Sequence, residues 1–238
     1  MYLILTIEEA MMRVINSTYY SFPEKIELDD VVDKELISLM TKSPIKPEDF
    51  YLTGYETISF KRTREFALET VISSVIPLDK DLLIVANNTD DKHIQKLCRM
   101  YNVDTSLIQL PESPAELEAV ISAYAQTNMY SHLLISCDVN IPECQKQIRQ
   151  LATELVKYSI KLIVHCRREP IDLHEVSELN VAYMICNGMS SYISSVILAR
   201  RSELVQTEGI SRSFNQDLYS YWQKTLFGRK SGIKPMAI

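Results

Sequence analysis

Three stretches of the 238-residue chain carry side chains whose types and spacing could do chemistry. The first is "FKRTRE" (60–65), where Arg62 and Arg64 flank Thr63 at or just before a helix start. Backbone N–H groups at a helix start can meet an anion, and guanidinium groups would add charge-assisted hydrogen bonds. The same residues fit a solvated helix start with both arginines on its outer face. Cations at the positive end of a helix are slightly unfavourable unless an anion or carboxylate answers them. The second stretch is His165-Cys166, ending an apolar run. Two ligands without a third are a weak metal site, and a structural histidine beside a buried thiol is the simpler reading. The third is "VAYMICNGMSSYISSVILARR" (181–201), which reads as a strand, a polar turn around Asn187-Gly188 and a second strand. Met189, Ser190 and Ser191 follow that turn, and no lysine lies between Lys161 and Lys224.

No phosphate loop, dinucleotide fingerprint, H-E-x-x-H or G-x-S-x-G is present. A net charge of -6 gives no electrostatic reason to expect nucleic acid or an anionic membrane as partner. No apolar run approaches the ~20 residues that span a bilayer. Glu8 and Glu9 interrupt the apolar start "MYLILT", which has no basic leader, so a signal peptide is not expected. Five cysteines, an odd number without a C-x-x-C pair, indicate neither a disulfide framework nor a zinc cluster, and a reducing cytoplasm is the expected compartment.

The elements that must position these residues alternate from about residue 60 onward. Helical spacing marks 62–76, 89–102, 113–128 and 142–159; compact apolar runs of strand length mark 81–87, 106–110, 131–136 and 160–166. Ser113, Pro114 and Glu116 form a helix-start signal. The segment 23–42 reads as an amphipathic helix closed by Pro44 and Pro47, so 1–60 is expected to be a helical segment packing on a single domain spanning 1–238. The aromatic segment "SFNQDLYSYWQK" reads as a helix, and "ARRSEL" as a surface segment. The fold class is α/β, a mainly parallel sheet flanked by helices. Only five glycines occur, few for ligand loops that need positive φ and close backbone approach.

The stretch "GISRSFNQDLYSYWQ" (209–223) resembles the S-R-S-x-x-x-D-L-Y-x-x-W segment of 2-aminoethylphosphonate–pyruvate transaminases, a class V, fold-type I family dependent on pyridoxal phosphate. "MYLILT", "FALETVISSVIPLDKDLLIVANN", "YSHLLIS", "KYSIKLIVHC", "VAYMIC" and "VILARR" are similar to other family segments in the same order. The resemblance implies the large domain of a fold-type I transferase. It also places the family's functional positions. The glycine loop that cradles the cofactor phosphate matches Arg62, Thr63 and Arg64. The aspartate that keeps the pyridine nitrogen protonated matches His165. The Schiff-base lysine matches Ser190, give or take one residue. The family's Pro-Gly-Pro near the start is replaced by "IEEA", the glycine-rich segment after the lysine is shortened to "YISS", and the chain ends near "KPMAI", where the family continues into a small C-terminal domain.

These replacements imply a non-catalytic relative with a binding or assembly role, without catalytic residues and without a cofactor. Two alternatives stand beside it. One is an active transaminase using pyridoxal phosphate and a substitute lysine such as Lys61. The other is a module in which Arg62, Thr63, Arg64, His165 and Ser190 line the old pocket and hold a small anion or phosphorylated metabolite. The resemblance implies a homodimer, or pairing with a complete transaminase.

Overall fold

A computed structural model describes residues 54–86, 90–111, 113–168, 178–190 and 193–230. All of these fall within one compact unit, Pro47–Ile238. The helix expected over 23–42 lies outside the described residues.

Seven strands form one sheet: β1 (Tyr55–Phe60), β2 (Asp81–Val85), β3 (Thr105–Ile108), β4 (Tyr130–Cys137), β5 (Lys161–Cys166), β6 (Tyr183–Ser190) and β7 (Ile193–Arg200). Their order across the sheet is β1-β7-β6-β5-β4-β2-β3. Pairings from β3 through β6 are parallel, and β7 pairs antiparallel with both β6 and β1. The helices are α1 (Arg64–Val75), α2 (Asp90–Met100), α3 (Pro114–Gln126), α4 (Pro142–Val156), α5 (Arg201–Val205) and α6 (Leu218–Lys230). The expected α/β class with a mainly parallel sheet is the class found.

The apolar runs alternate across the sheet because successive strand side chains face opposite sides. Leu82, Ile84, Leu134, Ile163, Tyr183, Ile185 and Ile197 pack with α1, α2 and α6 on one side. Leu83, Val85, Leu133, Ile135, Leu162, Val164, Met184 and Leu198 pack with α3 and α4 on the other. Each fully buried aliphatic side chain of this kind stabilises the fold by roughly 1.5–3 kcal/mol.

Several expectations need correction. The helical reading of 1–60 fails at its end. In Tyr55–Phe60 every second side chain (Glu56, Ile58, Phe60) is buried, and that period-2 pattern fits a strand on the sheet edge, not a helix. The hairpin does not turn at Asn187-Gly188. β6 continues to Ser190, with a register irregularity between Asn187 and Ser190. Gly188 is required there because a Cβ would lie 1.6 Å from the Ile193 carbonyl oxygen. Arg201–Val205, read as a surface segment, is a short helix with Arg201, Ser202 and Val205 exposed and Leu204 buried. Ser113 precedes α3 in extended backbone with Pro114 following, but its hydroxyl makes no capping hydrogen bond.

The scarcity of glycine has a structural counterpart. Left-handed backbone occurs at Asn102, Asn128, Ser159 and Asn180, each in a segment leading into β3, β4, β5 or β6. Asparagine tolerates that conformation better than most residues. At Asn102 and Ser159 the following amide reaches back to a helix carbonyl, Val103 to Cys98 at 2.9 Å and Ile160 to Leu155 at 3.1 Å. The connections therefore spend little glycine.

Candidate functional site

The candidate residues are positioned by the start of α1 and the C-terminal end of β5. β1 lies at the sheet edge beside β7, and the chain leaves it directly into α1. Ser195 on β7 donates from its hydroxyl to the Arg62 carbonyl at 2.8 Å, tethering that connection. Thr63 is the N-cap of α1: its hydroxyl accepts from the Phe66 amide at 3.4 Å. A threonine there satisfies one of the first-turn donors that an anion would otherwise meet.

The two arginines part company. Arg62 is exposed, with its guanidinium 4.9 Å from the centre of the Phe66 ring. Phe66 belongs to an edge-to-face aromatic group with Phe60 and Tyr221, at ring separations of 5.5 Å (Phe60–Phe66), 5.3 Å (Phe60–Tyr221) and 6.4 Å (Phe66–Tyr221). Arg64 turns inward instead. It donates to the carbonyls of Cys166 at 2.8 Å and Arg167 at 2.9 Å, so its guanidinium bridges the start of α1 to the end of β5. Glu65 lies 4.0 Å from it. The Glu65 carboxyl is held below the usual carboxylate range, first by a hydrogen bond from its own backbone amide and against the opposing effect of burial, then by the Thr63 hydroxyl and the charges of Arg64 and His165.

His165 is buried on β5, with Nδ1 3.0 Å from the Ser136 hydroxyl of β4. The two residues are register partners on adjacent strands. Cys166, the next residue, faces the opposite core layer, so the pair seen in sequence cannot converge on one ion. Among the described residues no group of three or more His, Cys, Asp or Glu is placed to hold a metal. Ser190 is positioned through its backbone, opposite Ile193 at the end of β6.

The structure thus brings Thr63, Arg64 and His165 to one end of β5, and leaves Arg62 outside on an aromatic surface. Sequence reasoning missed two members of the cluster. Glu65 lies inside the quoted "FKRTRE" but was not singled out. Ser136 is 29 residues from His165 and becomes its partner only through the β4–β5 register.

No protein-family model matches the sequence. A 2-aminoethylphosphonate–pyruvate transaminase of Bacteroides fragilis is 25% identical over 232 residues, covering 92% of this chain and 60% of that protein. One from Bacillus mycoides is 26% identical over 200 residues, covering 81% of this chain and 52% of its own length. The chain is a homologue of these transaminases. It spans between about half and three-fifths of their length. Its fold is that of fold-type I pyridoxal-phosphate-dependent aminotransferases. A subgroup IV aspartate aminotransferase from Thermus thermophilus superposes with a TM-score of 0.58 at 11% identity, over 90% of this chain and 60% of that one. An alanine–glyoxylate aminotransferase from Nostoc sp. does so with a TM-score of 0.55 at 12% identity, over 95% and 59%. Among the described residues no helix is long and apolar enough to cross a membrane.

Proposed function

We propose that this transaminase homologue is non-catalytic and acts by binding or assembly. The observation that carries the reading is Arg64. At a position matched to the family's phosphate loop, its guanidinium is committed to the Cys166 and Arg167 carbonyls. A glycine there would leave backbone amides open to an anion; the arginine instead directs its Nη1 at two carbonyls of the protein itself.

Two further replacements support the reading. His165, bonded to Ser136, stands where a carboxylate would hold the pyridine nitrogen protonated, and an imidazole cannot supply that negative charge. Ser190 stands at the lysine position, and the nearest lysines along the chain are Lys161 and Lys224. On this reading the residues do not fit pyridoxal phosphate, and no transamination step is assigned to them.

The partner on this reading is a second copy or a complete transaminase. Sedimentation of the chain alone, and mixed with a complete 2-aminoethylphosphonate–pyruvate transaminase, tests it. Self-association or a mixed complex is expected. A chain that stays monomeric in both experiments and transaminates 2-aminoethylphosphonate would overturn the proposal.

A further inference from the structure

Four of the five cysteines lie together, although the sequence scatters them over 50 positions from Cys137 to Cys186. Cys137 and Cys166 are register partners on β4 and β5. Continuing the β5–β6 register one step beyond His165↔Ile185 sets Cys166 beside Cys186, and their sulfurs are 3.4 Å apart. Cys137, Cys166 and Cys186 therefore form a row across three adjacent strands, all facing the α3–α4 core layer and all buried. Cys144, in the first turn of α4, is half-buried and packs against that layer at the Cys137 end. The neighbouring Cys144 thiol is one of the groups that push the Cys137 thiol up.

Neighbouring parallel strands lie about 4.8 Å apart, inside the Cα separation that a disulfide requires. Exchange at sulfur passes from thiol to thiol through mixed disulfides, and a row of adjacent thiols permits that passage without unfolding.

We propose that these four cysteines form a thiol relay, in which Cys144 takes up oxidising equivalents from a peroxide and Cys166 and Cys186 store them as an interior disulfide. The Cys144 sulfur attacks one peroxide oxygen; an S–O bond forms, the O–O bond breaks, and hydroxide leaves and is protonated to water. Cys137 then attacks the Cys144 sulfenic sulfur, releasing a second water and giving a Cys137–Cys144 disulfide. Cys166 displaces Cys144 from Cys137, and Cys186 displaces Cys137 from Cys166. With hydrogen peroxide as the oxidant, the net change is two thiols and one hydrogen peroxide to one disulfide and two waters.

The order of entry follows from access. Burial, followed by the neighbouring Cys144, pushes the Cys137 thiol up to about 12; burial, followed by Cys186, pushes Cys166 well above its ordinary value. Interior thiols of that kind are inert toward a solvent oxidant, whereas the partly exposed Cys144 thiol can be reached by one. The interior exchanges also need a thiolate, so they are slower than the minutes to hours of ordinary uncatalysed exchange, with the adjacency of the sulfurs partly offsetting the scarcity of thiolate. The stored disulfide would lie at Cys166, whose carbonyl holds Arg64, so the oxidation state reports directly to the candidate site.

The test is to treat the full chain with hydrogen peroxide, block remaining thiols at intervals, and map disulfides on non-reducing digests. Thiols counted in denaturant should fall from five to three per chain. The Cys137–Cys144 peptide pair should appear first and Cys166–Cys186 should replace it. Cys144→Ser should slow thiol loss by about tenfold or more, the scale expected when the accessible thiol is removed. Cys186→Ser should arrest the chain at a disulfide involving Cys137. Unchanged thiol loss in Cys144→Ser would overturn the relay. So would oxidation of Cys144 alone to sulfinic acid, or disulfides only between chains. Equal melting temperatures of the reduced variants establish that they are folded.

Discussion

Helix α1 carries two arginine-centred regions, one at each end and about 18 Å apart for a helix of 12 residues. At its start Arg64 donates to two strand-end carbonyls, beside an exposed Arg62. At its other end Arg212, within the segment that resembles the transaminases most distinctively, approaches four carbonyls: Ile76 at 3.4 Å, Pro77 at 2.6 Å, Tyr101 at 3.1 Å and Asn102 at 2.7 Å. Around it Ser74 donates to the Gln216 carbonyl at 2.7 Å and accepts from the Leu218 amide at 3.0 Å. Tyr101 hydrogen-bonds both Glu69 and Gln216. The recognisable motif is therefore an internal brace that ties the ends of α1 and α2 to the start of α6. The region matched to the cofactor pocket has one bridging arginine and a strand-end histidine. The contrast is between side chains that satisfy buried backbone at several points and side chains that do so at one or two.

The comparison can be broken by substitution. The largest effect is expected near the pocket end, but from backbone, not from pocket side chains. Gly188→Ala places a Cβ against the Ile193 carbonyl and should cost at least about 3 kcal/mol or prevent folding, measured by urea unfolding. Arg212→Ala follows: losing a charged donor to several carbonyls should cost roughly 2–4 kcal/mol, and Arg212→Lys should recover only part of it because an ammonium lacks the fork.

An acid-dependent term comes next, from His132 at the start of β4. It is buried, with Nδ1 2.8 Å from the Ser131 hydroxyl, and it lies near Tyr183 and Lys161. Burial, assisted by the Lys161 charge, pushes its pKa down to about 3. Its unfolded value is near 6.5, so the unfolded chain binds the proton more readily between the two. Stability from this group is complete above about pH 6.5 and is lost as pH falls toward 3, by roughly 2 kcal/mol at pH 5. His132→Gln should remove that part of the slope when unfolding is compared at pH 7 and pH 5. The smallest effect is expected for Arg64→Ala, about 1 kcal/mol or less, since its bonds are to carbonyls at the strand ends and its side chain is part-exposed. An Arg64 loss as large as the Arg212 loss would remove the contrast.

Much of the fold was legible because buried strands and amphipathic helices have different periods, and 81–85, 130–137 and 161–166 carry theirs plainly. The hairpin turn was misplaced because Asn187-Gly188 resembles a turn dipeptide, while its glycine answers a close approach by Ile193. The low glycine count pointed only at ligand loops; Asn102, Asn128, Ser159 and Asn180 show that the connections also dispense with glycine. At the candidate site the residue types were readable and their partners were not. Arg64 finds its carbonyl acceptors 102 and 103 residues away, and His165 finds Ser136 across a strand pair. Such contacts depend on register, which no local pattern carries.

On the proposed reading the region around Arg64, His165 and Ser190 carries no imine chemistry. The direct measurement is a titration with pyridoxal phosphate up to equimolar cofactor, followed by borohydride reduction and peptide mapping. The account predicts no aldimine absorbance and no lysine labelled stoichiometrically. One lysine peptide carrying a full equivalent of reduced cofactor, Lys61 or any other, would contradict it.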